Sequence, residues 1–410
     1  MPRQQNPQDR RAPADHRALR ERRTVFFRRR LIAAAAGVCL IVAIIVTATF
    51  LARGGNPENS SPSSTSMPVG TSLGLSQAAA NTSAAPVTTV PVTAVPVTTV
   101  PATPSAVTSG PITPAQAKQI GANELGRIPV LMFHLIGTGK SHLTPEQFRF
   151  DIHLLRQHGF YPTTIREMVE GTMDIPAGRT PVVLTFDDSS PGQYRILANG
   201  TLDPECAVGI LQAEVDWGIW ASRATFFPLL EVNGSNILWG QPDLAQTKLR
   251  NLVEWGYEIG SHGLTHMDFS QATAEKVRKE LAGSQAQLEE LIGSGYEVFT
   301  LSPPYGEYPN DRSLLLSGEY QGRHYNYSAV VMAWGESSPS PFSSEFDVTR
   351  IPRITAAAPE AVKKLMKHWK TRREFLYISD GDPETVSYPA DAPAELGKIR
   401  ADIGQRVVEY

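Results

Sequence analysis

Two different rhythms of apolar residues run along the chain. From Leu31 to Ala52 there are 22 residues without a charge, including Ala33-Ala34-Ala35-Ala36 and Ile41-Val42-Ala43-Ile44-Ile45-Val46. A helix of that length rises roughly 33 Å, about one hydrocarbon core. From residue 119 onward the apolar residues come instead in short blocks. Those at 128–133, 182–186, 223–227, 258–260, 297–301, 327–332 and 375–379 have strand length and strand composition. Between them, 145–158 sets Phe148, Ile152 and Leu155 at helical spacing, and 274–292 does the same with Val277, Leu281, Leu288 and Leu291. Residues 249–255 and 361–369 read as further helices. Strands alternating with helices imply a parallel sheet, and this many repeats predict an α/β barrel-like arrangement.

The remaining segments change the picture at the N-terminal side. Residues 53–118 are rich in Pro, Thr, Ser and Ala and repeat a pentapeptide: Pro86-Val87-Thr88-Thr89-Val90, Pro91-Val92-Thr93-Ala94-Val95, Pro96-Val97-Thr98-Thr99-Val100. Proline at every fifth position blocks helix and central strand alike, which predicts a disordered, extended linker. Residues 1–30 hold ten Arg and three acids, a net +7 in a chain whose formal total is −3, leaving about −10 for the rest. That split excludes a nucleic-acid role for the main domain.

Arg28-Arg29-Arg30 abuts the apolar run, and after Arg53 the only charge before Lys118 is Glu58. The expected organisation is a basic cytoplasmic tail (1–30), a transmembrane helix (31–52), a linker (53–118) and a catalytic domain (119–410). The positive side stays inside, so this is expected to be a single-pass protein of the cytoplasmic membrane with its N-terminus in the cytoplasm and its domain extracytoplasmic. A cleaved export signal is the alternative, hinted at by Arg22-Arg23 ahead of Phe26-Phe27. The run is long for a signal core, however, and no clear small-residue cleavage site follows it. Cys39 and Cys206 fall in different segments, so no internal disulfide framework is expected.

The candidate chemistry lies in two places. Asp187-Asp188 follows the apolar Pro181-Val182-Val183-Leu184, and His262 and His266 stand four apart after the 258–260 block. Residues just past strand ends form the rim of a (β/α) barrel. A lone Asp-Asp is more often a pair of helix caps. Two histidines at this spacing share a face if helical, or converge across a strand-to-loop turn. Together, one Asp and two His make three ligands and leave positions open for water and substrate. A dication there brings the pKa of bound water to about 7 and polarises a carbonyl, and the second carboxylate is then available as base. Spacing alone does not assign the two roles.

Thr185-Phe186-Asp187-Asp188 combined with Ser261-His262-Gly263-Leu264-Thr265-His266 resembles the polysaccharide deacetylase family (carbohydrate esterase family 4). Val130-Leu131-Met132-Phe133-His134, Ala224-Thr225-Phe226-Phe227 and Ser302-Pro303-Pro304-Tyr305-Gly306 are also similar to that family, so the resemblance covers about residues 125–385. It implies a distorted (β/α) barrel, Asp187 as base, and Asp188, His262 and His266 as ligands of a divalent metal ion, zinc being expected. It also implies the backbone N–H of Tyr305 as oxyanion donor, with Pro304, Trp334, Asp380 and Asp382 assigned to the substrate.

Three positions depart from the family pattern. Ser302 stands where an Arg braces the base. Ala333 precedes Trp334 where an Asp is usual. Ser379 replaces the His that acts as general acid, in Leu376-Tyr377-Ile378-Ser379-Asp380-Gly381-Asp382. A carboxylate beside a dication has its pKa pushed down, so Asp380 and Asp382 are poor acids. His134 is the better candidate, because a barrel sets its first and last strands side by side. Arg350 and Arg353 either line the cleft or belong to a solvated edge strand. Cys206 reads as a buried apolar residue.

The expected function is a membrane-anchored, metal-dependent deacetylase of acetylated cell-wall or extracellular polysaccharide, N-acetyl sugars favoured. The alternative is a catalytically weak or inactive metal- and glycan-binding cell-wall protein. A hydrolase of the same fold acting on another amide or ester is a third.

Overall fold

The computed structural model describes residues 111–410 apart from 217, 219 and 233–236. The predicted tail 1–30, the span 31–52 and the linker up to residue 110 lie outside the described residues. Among the described residues no helix is long and apolar enough to cross a membrane. The first described element lies inside the segment expected to be linker: α1 (Pro114–Ile120), which Thr113 caps at its N-terminus and Gly121 ends with φ 71°. Its Ala117 is buried with Ala122 and Val408.

The elements that frame the site follow in order: β1 (Val130–Phe133), α2 (Pro145–Gln157), β2 (Phe160–Thr163), α3 (Ile165–Val169), β3 (Thr180–Asp187), α4 (Ala207–Asp216) and β4 (Thr225–Phe227). Then come α5 (Ala245–Trp255), β5 (Glu258–Ile259), α6 (Ala274–Ile292), β6 (Thr300–Leu301), β7 (Ser317–Tyr320), β8 (Arg323–Asn326) and β9 (Ala329–Val330). β10 (Ile354–Thr355), α7 (Ala361–Lys370), β11 (Thr385–Tyr388) and β12 (Arg406–Glu409) complete the chain.

β3 is the spine. All eight of its residues are buried, as its near-continuous apolar, β-branched sequence requires of a strand covered on both faces. β1 pairs with it in parallel from Val130↔Val183 to Phe133↔Phe186. On its other edge β2 takes the first half and β4 the second. The sheet runs β10-β1-β3-β4-β5, all parallel, with β2 also on β3. The α/β class is therefore as expected.

Period-two alternation sends neighbouring residues into two different cores. Phe133, Phe186 and Phe226 pack outward beneath the helices, the first two rings 5.4 Å apart and the last two 4.7 Å, with Phe148 of α2 edge-on to the stack. Such pairs add about 0.5–1.5 kcal/mol each beyond their burial. Val130, Val183, Phe227, Ala329, Val331 and Ile351 fill the inner cluster. Thr185 and Asp187 continue the inner row of β3 upward.

A closed ladder does not form. β6 and β9 make a separate parallel pair. Only single parallel bridges, Ser261 with Leu301 and Val331 with Ile351, link that pair to β5 and to the segment entering β10. The apolar block at 375–379 is also not a strand of this sheet. Leu376 and Ile378 make only isolated bridges, to Arg127 and Asn123 ahead of β1. The neighbour of β1 is β10, so Arg353 stands where sequence reasoning set Ser379.

Candidate metal and catalytic site

Asp187 is the last residue of β3 and Asp188 the first after it, with φ 68°. Ser189 follows with φ 40°. The positive φ turns the two carboxylates to different surroundings. His262 leaves the end of β5 past Ser261, whose N–H and C=O bond to Thr300 and Ser302. Gly263 (φ 71°) and His266 (φ 57°) then fold the loop back, so the histidines converge from a strand-to-loop turn rather than a helix. Of the nine described non-glycine residues with positive φ, four belong to this site: Asp188, Ser189, His266 and Tyr305. Backbone strain of this kind gathers where surrounding contacts enforce a functional geometry.

Asp188 Oδ1 lies 3.2 Å from His262 Nε2 and 3.3 Å from His266 Nε2. It is buried and makes no well-aligned hydrogen bond. One ligand atom from each residue falls within 4.8 Å of the others, the only such three-residue group among the described residues. His262 Nδ1 sits 2.7 Å from the Ser302 carbonyl, which can only accept. The proton is therefore on Nδ1, which leaves Nε2, on the Asp188 side, as the nitrogen available to a metal ion. One carboxylate and two imidazoles around a buried, underbonded oxygen fit a divalent metal ion. In the metal-free geometry burial opposes charge, yet the two imidazoles hold the Asp188 carboxyl far below the usual carboxylate range. Burial likewise lowers His262, but the Asp188 and Asp187 carboxylates outweigh it and raise it overall.

Asp187 faces a different environment. It is 2% exposed and points into the inner row. Arg353 donates to it twice, Nη1 to Oδ1 at 2.7 Å and Nη2 to Oδ2 at 2.8 Å, and Ser302 Oγ donates to Oδ2 at 3.1 Å. The remaining guanidinium donors reach Met332 O, Thr185 Oγ1 and Ser302 Oγ. All five N–H groups are thus used, and the cation lies 5.6 Å over the Phe227 ring. Burial alone would raise the Asp187 carboxyl, but Arg353 and then His262 hold it below its ordinary value. The small Ser302, standing where the resemblance implies Arg, hydrogen-bonds both partners. The arginine arrives instead from the lead-in to β10.

His134 follows β1 beside this end of β3, and its carbonyl accepts from Ser190 Oγ and Gln193 Nε2. Its charge helps lower both Asp187 and Asp188. Tyr305, with φ 60°, lies in the Pro304–Gly306 turn, its ring 4.5 Å from that of His266. Pro304 is buried, approaching Gly263 between the two histidines. Trp334 lies against Gly306, so that a Cβ there would meet the indole at 2.8 Å. Tyr305 (60%) and Trp334 (53%) are two of the five large apolar side chains left exposed among the described residues.

Asp380 and Asp382 are not brought to this rim. Ser379 bonds through its backbone to the segment entering β3, its C=O accepting from the Gly178 N–H and its N–H donating to the Arg179 C=O, at the end opposite Asp187. Eight strand residues separate the two ends, roughly 23 Å. Asp380 accepts from Thr385 and Ser387 and from the Asp382 N–H, while Asp382 accepts from the Glu384 N–H. Both carboxylates organise a turn.

One residue of the site escaped sequence reasoning. Glu280 of α6 is 1% exposed, and its carboxylate accepts from the Leu264 and Thr265 N–H groups and from Thr265 Oγ1. It ties down the loop between the two histidines. The available signal was an acid on the buried stripe of α6, one position before Leu281.

Residues 174–320 match the polysaccharide deacetylase family. The match includes Asp187, Asp188, His262, His266 and Tyr305, and stops short of Trp334 and Arg353. The chain is 32% identical over 112 residues to an uncharacterised 30.6 kDa protein of Geobacillus stearothermophilus, covering 27% of this chain and 38% of that one. It is 23% identical over 191 residues to the putative polysaccharide deacetylase YxkH of Bacillus subtilis, covering 46% and 60%. It therefore spans less than two thirds of either curated relative. Among solved structures it is similar to the Streptococcus pyogenes deacetylase PplD in complex with acetate, at 17% identity and TM-score 0.42 over 59% of this chain and 97% of that one. It is also similar to IcaB from Ammonifex degensii, at 18% identity and TM-score 0.44 over 59% and 96%.

Proposed function

We propose, from the match of residues 174–320 to the polysaccharide deacetylase family, that the chain is a metal-dependent deacetylase of acetylated polysaccharide, N-acetyl sugars favoured. The observation that carries the reading is the division of the carboxylate doublet. Asp188 joins two imidazoles, while Asp187 is turned inward and kept ionised by Arg353.

Asp188, His262 and His266 would hold a divalent ion, which when bound would supply Lewis acidity and lower the pKa of water at the site. The other tasks fall to this chain's side chains and backbone. Asp187 accepts the water's proton on Oδ1, which receives one hydrogen bond against two on Oδ2 and so keeps a lone pair. The Tyr305 N–H stabilises charge developing on the acetyl carbonyl oxygen. His134 returns a proton to the leaving nitrogen. The exposed faces of Tyr305 and Trp334 are surfaces for sugar rings.

The wider reading follows the sequence. The apolar run 31–52 beside the basic tail supports a single-pass anchor with the domain outside the cytoplasm. We read the parallel sheet, the β6–β9 pair and their two linking bridges as a distorted barrel. A catalytically weak metal- and glycan-binding protein is the second reading, favoured by the distance of the 376–382 segment from the rim.

Acetate release by the full chain, supplied with zinc, tests the function on acetylated chitooligomers, peptidoglycan and acetylated xylan. Release from any of them supports a deacetylase and ranks the polymers. A metal-loaded protein that releases none favours the second reading.

A further inference from the structure

A second polar hollow opens at the same end of the sheet as the metal site. α2 and α7 follow β1 and β10, which are neighbours, so both helices begin at the strand ends that carry the site. Between their first turns lies a space of about 200 Å³ lined by Glu146, Gln147, Phe150, Asp151, Pro359 and Glu360. Asp151 is 3% exposed, and its Oδ2 has no hydrogen-bond partner. Phe150 is 53% exposed at the lip. On the far side of Phe150 a second hollow of about 370 Å³ reaches Glu214, which Arg156 partners at 3.3 Å.

A buried, unpartnered carboxylate oxygen calls for a donor, and the Glu146 and Glu360 carboxylates lining the same space favour a cationic one. Glu146 and Glu360 exclude anions, although Lys363 pairs with Glu360 at 2.8 Å. A small metal ion does not fit, because these carboxylates do not converge as Asp188, His262 and His266 do. An ammonium group, with three rotatable donors, suits acceptors spaced more widely. An exposed aromatic beside them adds a cation–π surface and a face for a sugar ring. We propose that the hollow formed by Glu146, Phe150, Asp151 and Glu360 binds the ammonium-bearing sugar of a deacetylated strand, holding product beside the catalytic rim. The ligand's origin rests on the N-deacetylase reading, but the hollow's chemistry does not.

The test is calorimetric titration of the full chain, at low ionic strength, with a β-1,4-linked glucosamine tetramer and with its N-acetylated counterpart. The glucosamine tetramer should bind at least tenfold tighter. Asp151→Asn and Phe150→Ala should each weaken it at least tenfold while cooperative melting and metal content persist. Equal binding of the two tetramers, or full binding by both Asp151→Asn and Glu360→Gln, overturns the proposal without touching the deacetylase reading, which acetate release decides separately.

Discussion

Arg353 holds Asp187 at both carboxylate oxygens, at 2.7 and 2.8 Å, across 166 positions of sequence. A buried ion pair of this kind is weak evidence for stability, because desolvation offsets most of its attraction. Its effect is on protonation: Arg353 holds the carboxyl below its ordinary value where burial pushes the other way.

Arg353→Lys keeps the charge but loses the planar fork. It should lower kcat about tenfold or more with metal content unchanged. The Asp187 pKa should rise toward its unperturbed value, so the acid limb of the rate profile should move to higher pH. An acid limb that stays in place would show that Arg353 does not act through Asp187. Arg353→Met is expected to be more damaging, because removing one partner of a buried pair costs about 3–5 kcal/mol.

Glu280→Ala removes three hydrogen bonds from the loop that carries both histidines. Metal affinity should fall about 10–100-fold, as for other residues that orient ligands. Competition with a chelator reads this directly. Affinity equal to wild type would make Glu280 a packing residue only.

His134→Gln tests the proton donor. The expected result is a large fall in kcat with KM little changed. A KM effect alone would make His134 a binding residue.

Asp151 gives a stability prediction with a definite sign. Burial, and then the Glu360 carboxylate, push its carboxyl from 3.8 up to about 7. Its folded pKa lies above its unfolded one, so native Asp151 holds its proton longer. Stability should therefore fall as pH rises from about 4 to about 7 and then level off. Asp151→Asn should be more stable than wild type at pH 7.5, by an amount on the order of 1–3 kcal/mol, and should melt with wild type at pH 4. A mutant that melts lower at both would contradict this.

The sequence made some parts of the molecule visible and hid others for physical reasons. β3 and α6 were legible because burial on both faces, or on one stripe, leaves its period in the residues themselves. The doublet and the histidine pair were legible because each is local. Arg353 was only one of two readings of its segment, since β10 is two residues long and its place beside β1 is set by contacts far apart in sequence. The 375–379 block has strand composition, but its partners at Arg127 and Asn123 place it ahead of β1. That placement separated Asp380 and Asp382 from the rim and put Arg353 in the position that strand order had given to Ser379.

The most direct test of the account compares bound metal and acetate release in wild type, Asp187→Asn and Asp188→Ala, all as full-length protein on acetylated chitooligomer. The account predicts that Asp187→Asn keeps its metal and loses turnover, while Asp188→Ala loses both. Equal metal loss in the two variants, or turnover surviving in Asp187→Asn, would contradict the division of the doublet into base and ligand.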